Sequence, residues 1–532
     1  MRDRVYLFDT TLRDGAQTSG VDFTLDDKMR IARLLDDLGV DYVEGGYPGA
    51  NPTDNAFFEE KRTKRAKFVA FGMTKRAGVS VSNDAGLRAI LAAAADADCF
   101  VAKSWDYHVH VALGTTLEEN LDGVRLTVEA AVAEGREAMI DCEHFFDGFK
   151  ANPDYALAVA RTAYEAGARW IVLCDTNGGT LPHEIDEIVR TVTQVVPGER
   201  LGIHAHDDTG QAVANSLTAV RAGVRQIQGT LNGIGERCGN ANLVTIIGTL
   251  GLKPEYADRF ETGIASEKLK ELTHVSRAFD DVLNRSPNRH APYVGANAFA
   301  TKAGIHASAI VKDPRTYEHV TPDSVGNRRR VLVSDQAGKS NLLAELARFG
   351  IEVDKADRRL DTLLTEVKER EARGFSYEAA DASLELLARR TLGHVPRFFE
   401  VQSFRVIVGR RIESTGDTVN QSEAIVKVKI GDEMFLSVAE GNGPVNALDA
   451  ALRKDLGPYQ KMIDDLELVD FKVRILNGGT GATTRVLIES RDAAKNHWTT
   501  IGVSENIIDA SFQALMDSIF YKLVKNGAAK VV

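Results

Sequence analysis

Short apolar runs alternate with longer amphipathic stretches through the first half of the chain. The runs are "VYLFD" (5–9), "DYVEGGYP" (41–48), "FVAFGM" (68–73), "DCFVAKS" (98–104), "EAMIDCEHF" (137–145), "RWIVLCDT" (169–176), "RLGIHAHDD" (200–208) and "RQIQGTLNG" (225–233). All eight are of strand length. Between them lie stretches with helical spacing, such as "TLDDKMRIARLLDDLG", "TLEENLDGVRLTVEAAVAEG" and "DYALAVARTAYEAG". Several close on a glycine, a normal helix stop. Strand then helix, eight times over about 250 residues, predicts an α/β fold of the (β/α)8 TIM-barrel type, here residues 1–265. An open doubly wound sheet is the alternative, but no Gly-rich dinucleotide fingerprint follows a strand.

After residue 265 the rhythm changes. "SEKLKELTHVSRAFDDVL" reads as a helix, a polar segment follows, and 339–394 is mostly helical with charged faces. Residues 266–395 are therefore expected to form linker subdomains. From 396 strands return: "FEVQSFRVIVG", "SEAIVKVKIG" and "MFLSVAE", then a helix from Pro444. "LVDFKVRIL", "TRVLIES" and "HWTTIGV" follow, with a helix from Asn506. "SVAEGNGPVNALDAAL" (437–452) aligns with "TIGVSENIIDASFQAL" (500–515), placing Ala447 with Ala510 and Leu452 with Leu515. Residues 396–532 thus read as a duplicated ββα-type α/β module, suited to sensing a ligand or to dimerisation.

Composition narrows the function classes. The 532 residues are 44% hydrophobic and 27% charged, with a net charge of −11. That balance argues against nucleic acid or an anionic membrane as the main partner, while leaving room for a local basic pocket. Four cysteines without paired spacing point to a reducing compartment and no disulfide framework. The polar start (Arg2, Asp3, Arg4) predicts no secretory leader, and no run approaches a membrane span. A cytoplasmic enzyme is the expectation.

A barrel places its chemistry just after the strands, on one face. The unusual polar residues keep that register: Arg13 and Asp14 after the first strand, Glu44 in the second, His108 after the fourth. Glu143 ends the fifth, Asp175 and Thr176 the sixth, His204 and His206 the seventh, and Asn240 follows the eighth. On a strand, i and i+2 share a face, so His204 and His206 present two imidazoles suited to a divalent metal. His108 and His110 have the same spacing, but only the later pair sits in "HAHDDTG" on a barrel strand. Asp14 is the candidate third ligand and the Asn240 carboxamide a fourth. Mixed N/O ligation suits Mg²⁺, Mn²⁺ or Zn²⁺. Asp208 is the candidate partner that orients an imidazole, and Asp9 and Gln17 brace the first loop. Arg13 is either a solvated charge or a group for a carboxylate or developing alkoxide. Thr176 is a candidate donor to a small carboxylate. Glu143 is either a base or one half of a barrel-mouth salt bridge.

"DTTLRDGAQ" (9–17), "HAHDDTG" (204–210) and "NGIGERCGNANL" (232–243) together resemble the DRE-TIM metallolyases, and more closely the 2-isopropylmalate, homocitrate and citramalate synthases. "GERCGNA" separates them from the HMG-CoA lyases, which carry a cysteine-bearing Gly-rich loop near this place. "EGGYPGANPTD" (44–54) and "SWDYHVHVALGTTLEENL" (104–121) resemble the longer (R)-citramalate synthase branch, and "EGNGPVNALDAAL" the family's regulatory domain. The resemblance spans essentially the whole chain.

It implies an acyltransferase that condenses acetyl-CoA with a 2-oxo acid, pyruvate in this branch, and hydrolyses the thioester, on the route to isoleucine. It implies Asp14, His204 and His206 as metal ligands, with Asn240 close by. It implies Arg13 at the keto oxygen, Thr176 at the substrate carboxylate, with Gln17 and His108 also on the substrate. Glu143, His306 of "GIHASA" and Tyr317 then manage the acetyl-CoA proton and the attacking water. In this family the segment carrying such a His reaches the partner subunit's barrel, so a homodimer follows. Isoleucine is the expected effector at the C-terminal domain. Asp207 departs from the pattern, standing where many relatives carry Asn. Tyr47, Phe71, Met73 and Trp105 are candidates for the wall against the 2-oxo acid's side chain, where bulk favours a methyl group. The alternatives are a 2-isopropylmalate synthase, an acyl-CoA aldol-type lyase and a non-catalytic binding protein.

Overall fold

The protein is described by a computed structural model covering residues 2–283, 285, 287–301, 304–331, 339–377, 380–412, 418–476 and 482–530. Its contacts divide it into two compact units. The first comprises the chain up to 299 together with 319–329, and the second comprises 300–318 and the chain from 330 onward.

Eight strands close a parallel barrel in chain order: β1 (Tyr6–Asp9), β2 (Tyr42–Gly46), β3 (Lys67–Met73), β4 (Ala97–Lys103), β5 (Glu137–Glu143), β6 (Trp170–Asp175), β7 (Leu201–Ala205) and β8 (Gln226–Gly229). Pairing of Tyr6 with Gln226 and Phe8 with Tyr42 shuts the ring. All eight predicted runs are these strands. Their alternation makes two layers of core. Phe8, Tyr42, Val69, Cys99, Met139 and Trp170 belong to one cluster. Leu7, Val43, Phe68, Phe100, Ile140 and Ile171 belong to the larger cluster shared with the helices. Trp170 is fully buried and donates from Nε1 to Tyr42 Oη at 3.1 Å. Truncating such a side chain costs on the order of 3–5 kcal/mol.

The helices start and stop where local chemistry dictates. Thr24 and Asp27 form a reciprocal capping box on Leu25–Leu38. Gly39 ends that helix at φ 103°, a conformation that penalises any side chain. Asn51 and Asn152 each cap a helix that begins with proline. The helix Leu272–Val282 packs on this unit, where Asn232 donates to the Ser276 carbonyl and to Asp280, both at 3.0 Å.

In the second unit, β9 (Glu400–Ile412), β10 (Thr418–Ile430) and β11 (Glu433–Gly441) form one antiparallel sheet, followed by the helix Pro444–Lys454. β12 (Glu467–Ile475), β13 (Thr484–Arg491) and β14 (His497–Ser504) form another, followed by Ile507–Lys525. The repeat is thus a three-stranded meander plus a helix, with one more strand than the ββα unit. Ala447, Ala510, Leu452 and Leu515 are all buried at matching places. The helices Lys339–Arg348, Arg359–Ala372 and Asp381–Thr391 share a core that includes Leu342, Leu363, Leu384 and Ile501. No helix among the described residues is long and apolar enough to cross a membrane.

Candidate active site

The loops after the strands gather the polar residues at one end of the barrel. The loop leaving β1 turns at once, because Asp9 accepts from Thr11 N (2.9 Å) and Thr11 Oγ1 (2.8 Å). Asp9 is fully buried, and burial pushes its carboxyl up to about 7. The turn delivers Arg13 and Asp14. Gln17 lies in the 3-10 turn beyond and is exposed, so it does not brace them from behind.

Asp14, His204 and His206 converge. Asp14 Oδ2 lies 3.1 Å from His204 Nε2 and 3.9 Å from His206 Nε2, and the two Nε2 atoms are 3.3 Å apart. All three residues are buried. His206 follows the end of β7 and forms a bridge with Asn240. Asp14 Oδ1, His206 Nδ1 and Asn240 Oδ1 are buried without a hydrogen-bond partner. Buried polar atoms rarely stay unpaired. Two imidazoles and a carboxylate turned on one point, beside an orphaned amide oxygen, are a donor set that fits a divalent cation.

The charges agree. Burial alone would raise the Asp14 carboxyl, yet Arg13 and His204 hold it well below the usual range. Burial alone would lower His204, but Asp14 outweighs it and moves it up. Burial and the adjacent His204 push His206 down to about 3.

Arg13 is locked. Its Nε donates to Glu44 Oε2 at 2.8 Å, its Nη1 lies 3.3 Å from Asp14 Oδ2, and its guanidinium stacks 4.0 Å from the Phe71 ring centre. Burial would depress it, but Glu44 and Asp14 carry it further up, so it remains a cation. Tyr47 meets Phe71 edge-on at 5.9 Å, so two of the proposed wall residues pack together and one of them lies against Arg13. Met73 is 36% exposed at the end of β3. Trp105 instead stacks on His108 at 4.9 Å. His108 and His110 lie on helical turns, not on a strand, and His110 is exposed. The i, i+2 argument fails for that pair.

One correction concerns an acid. Asp208 does not orient an imidazole: it pairs with Arg237 at 2.8 and 2.9 Å. Asp207 accepts from Ala212 N at 2.9 Å, supporting the start of the helix Ala212–Ala222. Asp175 is spent on Thr180, whose Oγ1 donates at 2.8 Å. Glu143 does make a barrel-mouth ion pair, with Lys103. Thr176 Oγ1 accepts from His144 N at 2.8 Å. His306 and Tyr317 lie in the second unit with ring centres 4.4 Å apart, and both are exposed. Lys302 and Ala303, which open that segment, lie outside the described residues.

The imidazole partner that sequence reasoning missed is Gln228, at the middle of β8. His204 Nδ1 is 2.8 Å from Gln228 Oε1, and Gln228 Nε2 donates to Asp141 Oδ1 at 3.0 Å. A carboxylate accepts only, so the Gln228 NH2 must face Asp141 and its oxygen must face His204. His204 Nδ1 therefore carries the proton, and Nε2 keeps its lone pair for the cluster. A glutamine alternating among "RQIQG" was the only sequence signal.

Residues 4–275 match the HMGL-like family model, 293–374 the homocitrate synthase post-HMGL domain-like model, and 378–523 the LeuA allosteric (dimerisation) domain. The class is thus an HMGL-like TIM barrel extended by a LeuA-type C-terminal domain. The chain is 49% identical over 531 residues to the (R)-citramalate synthase of Aquifex aeolicus (strain VF5), covering 99% of each chain. It is 49% identical over 527 residues to that of Geobacter sulfurreducens, covering 98% of each. A probable 2-isopropylmalate synthase of Methanopyrus kandleri is 34% identical over 530 residues, covering 98% of each. The chain belongs to the (R)-citramalate synthase family.

Proposed function

We propose that this chain condenses acetyl-CoA with pyruvate and hydrolyses the thioester, giving (R)-citramalate and CoA. The observation that carries the reading is the end-to-end 49% identity with (R)-citramalate synthases. The Asp14–His204–His206 cluster beside Asn240 supports it. We assign these four residues to a divalent cation: Mg²⁺, Mn²⁺ or Zn²⁺. When bound, such an ion supplies Lewis acidity to the adjacent keto and carboxylate oxygens of a 2-oxo acid.

The chain's own residues do the rest. Arg13, held by Glu44 and Phe71, binds the keto oxygen and balances the charge that develops on it. Thr176 Oγ1 accepts from His144 N, which leaves its hydroxyl hydrogen free to donate to the substrate carboxylate. His108 and Gln17 complete the carboxylate end, and Tyr47, Phe71 and Met73 wall the methyl group. Glu143, steadied by Lys103, accepts the methyl proton of acetyl-CoA. We assign His306 and Tyr317 to the acetyl-CoA end, supplied by a second copy of the chain in a homodimer. Residues 1–265 carry catalysis, 266–395 link, and 396–532 bind an effector, isoleucine, in a cytoplasmic setting. Incubating the chain with acetyl-CoA, pyruvate and a divalent cation, and resolving the product by chiral chromatography, tests this reading. (R)-Citramalate and free CoA in equal amounts are expected; CoA release without citramalate contradicts it.

A further inference from the structure

At the end of β5, the residue after Glu143 is held in an uncommon way. His144 has φ 55°, a left-handed conformation that a histidine rarely adopts. Backbone strain of this kind persists where the surroundings enforce it. Here both ends are clamped. The His144 N–H donates to Thr176 Oγ1 at 2.8 Å, and its Nδ1 lies 2.9 Å from Asp147 Oδ2. Asp147 is itself fixed by Asn177 Nδ2, which donates to the same oxygen at 3.0 Å. Against a carboxylate, Nδ1 carries the proton, so the lone pair of the neutral ring sits on Nε2. The ring packs edge-on against His108 at 4.4 Å, within the Trp105 stack, and its side chain is 18% exposed. A clamped carboxylate and an imidazole whose Nδ1 is committed to it make an acid–base pair. It stands between Glu143 and Thr176, two residues already placed on the two substrates.

We infer that His144 is the general base, and then the general acid, of the hydrolytic half of the reaction, with Asp147 as its positioning residue. This rests on the citramalate synthase reading and divides its two steps between Glu143 and His144. Condensation leaves a citramalyl thioester. His144 Nε2 takes a proton from water as the water oxygen bonds to the thioester carbonyl carbon. The carbon–sulfur bond then breaks, and the proton passes from Nε2 to the CoA sulfur. The products are the free acid and CoA thiol, with no other reactant.

The test separates the two half-reactions in the full-length, metal-loaded protein. His144→Asn is the informative variant, because asparagine tolerates positive φ. Pyruvate-dependent exchange of the acetyl-CoA methyl protons, read by mass spectrometry, should stay within about threefold of wild type. Thiol release should fall by about 10²–10⁴-fold, the usual worth of a general base. Quenched reactions should show citramalyl-CoA accumulating. Asp147→Asn should lower thiol release by a smaller factor, again sparing exchange. Thiol release at the wild-type rate in His144→Asn overturns the inference. So does a parallel loss of exchange and hydrolysis, which marks a merely structural role. Absence of citramalate from the wild-type protein is a separate result and refutes the underlying reading instead.

Discussion

Gln228 shows what a single side chain decides here. Its amide can face only one way between Asp141 and His204, and that fixes which nitrogen of His204 is free for a cation. Gln228→Leu should weaken Mn²⁺ affinity by about 10–100-fold in titration calorimetry while leaving the metal-free protein folded. An unchanged affinity contradicts the tautomer argument. Met73→Ala should open the wall beside the methyl group, lowering the kcat/KM ratio for pyruvate over 2-oxobutyrate by about 10-fold. An unchanged ratio removes Met73 from the wall. The Asp14–His204–His206 cluster was legible in the sequence because the i, i+2 spacing at the end of β7 sets the two imidazoles side by side, and in the closed ring only β8 separates β7 from β1, whose loop carries Asp14. Gln228 and Asp141 were not, since a glutamine alternating in "QIQG" and an aspartate within "AMIDC" acquire meaning only across the ring. Asp208 misled for the opposite reason: it adjoins the histidines in sequence, but Arg237 claims it.

At the scale of elements, the strands were legible as apolar runs, whereas their ends were not. The run 200–208 continues past the strand, which stops at Ala205, because His206 turns to bridge Asn240 and Asp207 serves the next helix. Buried charge at the other end of the barrel carries a pH signature. Asp98, at the start of β4, is fully buried beside Arg136 Nη1 at 2.8 Å. Burial outweighs that guanidinium and pushes the carboxyl up from 3.8 to about 7. The native state therefore holds this proton more tightly than the unfolded chain. Its contribution to stability is full below the unfolded value near 4 and is lost as pH rises through about 7. Asp98→Asn cannot titrate, so the Tm of wild type relative to the variant should fall between pH 4 and pH 7. A relative Tm that rises over that window contradicts the shift.

For the whole molecule, the duplication in the second unit was legible because Ala447/Ala510 and Leu452/Leu515 recur in register. All three strands of each repeat were legible as apolar runs; the structure adds their antiparallel order, with β10 between β9 and β11 and β13 between β12 and β14. If this module senses isoleucine, truncation at about residue 396 should abolish inhibition while some turnover survives. The cut also strips the helix Asp381–Thr391 of its contacts to Ile501 and Asp517, so a lower Tm is expected alongside. Inhibition that persists in the truncated chain contradicts the assignment. Thiol release with acetyl-CoA and a panel of 2-oxo acids tests most directly whether the barrel-mouth cluster serves this one reaction. Pyruvate should be turned over faster than 2-oxoisovalerate and 2-oxoglutarate. Activity should disappear on chelation and return with divalent cation, and Asp14→Asn should stay inactive when the cation is restored. Faster turnover of 2-oxoisovalerate, or full metal-dependent activity in Asp14→Asn, would contradict the account.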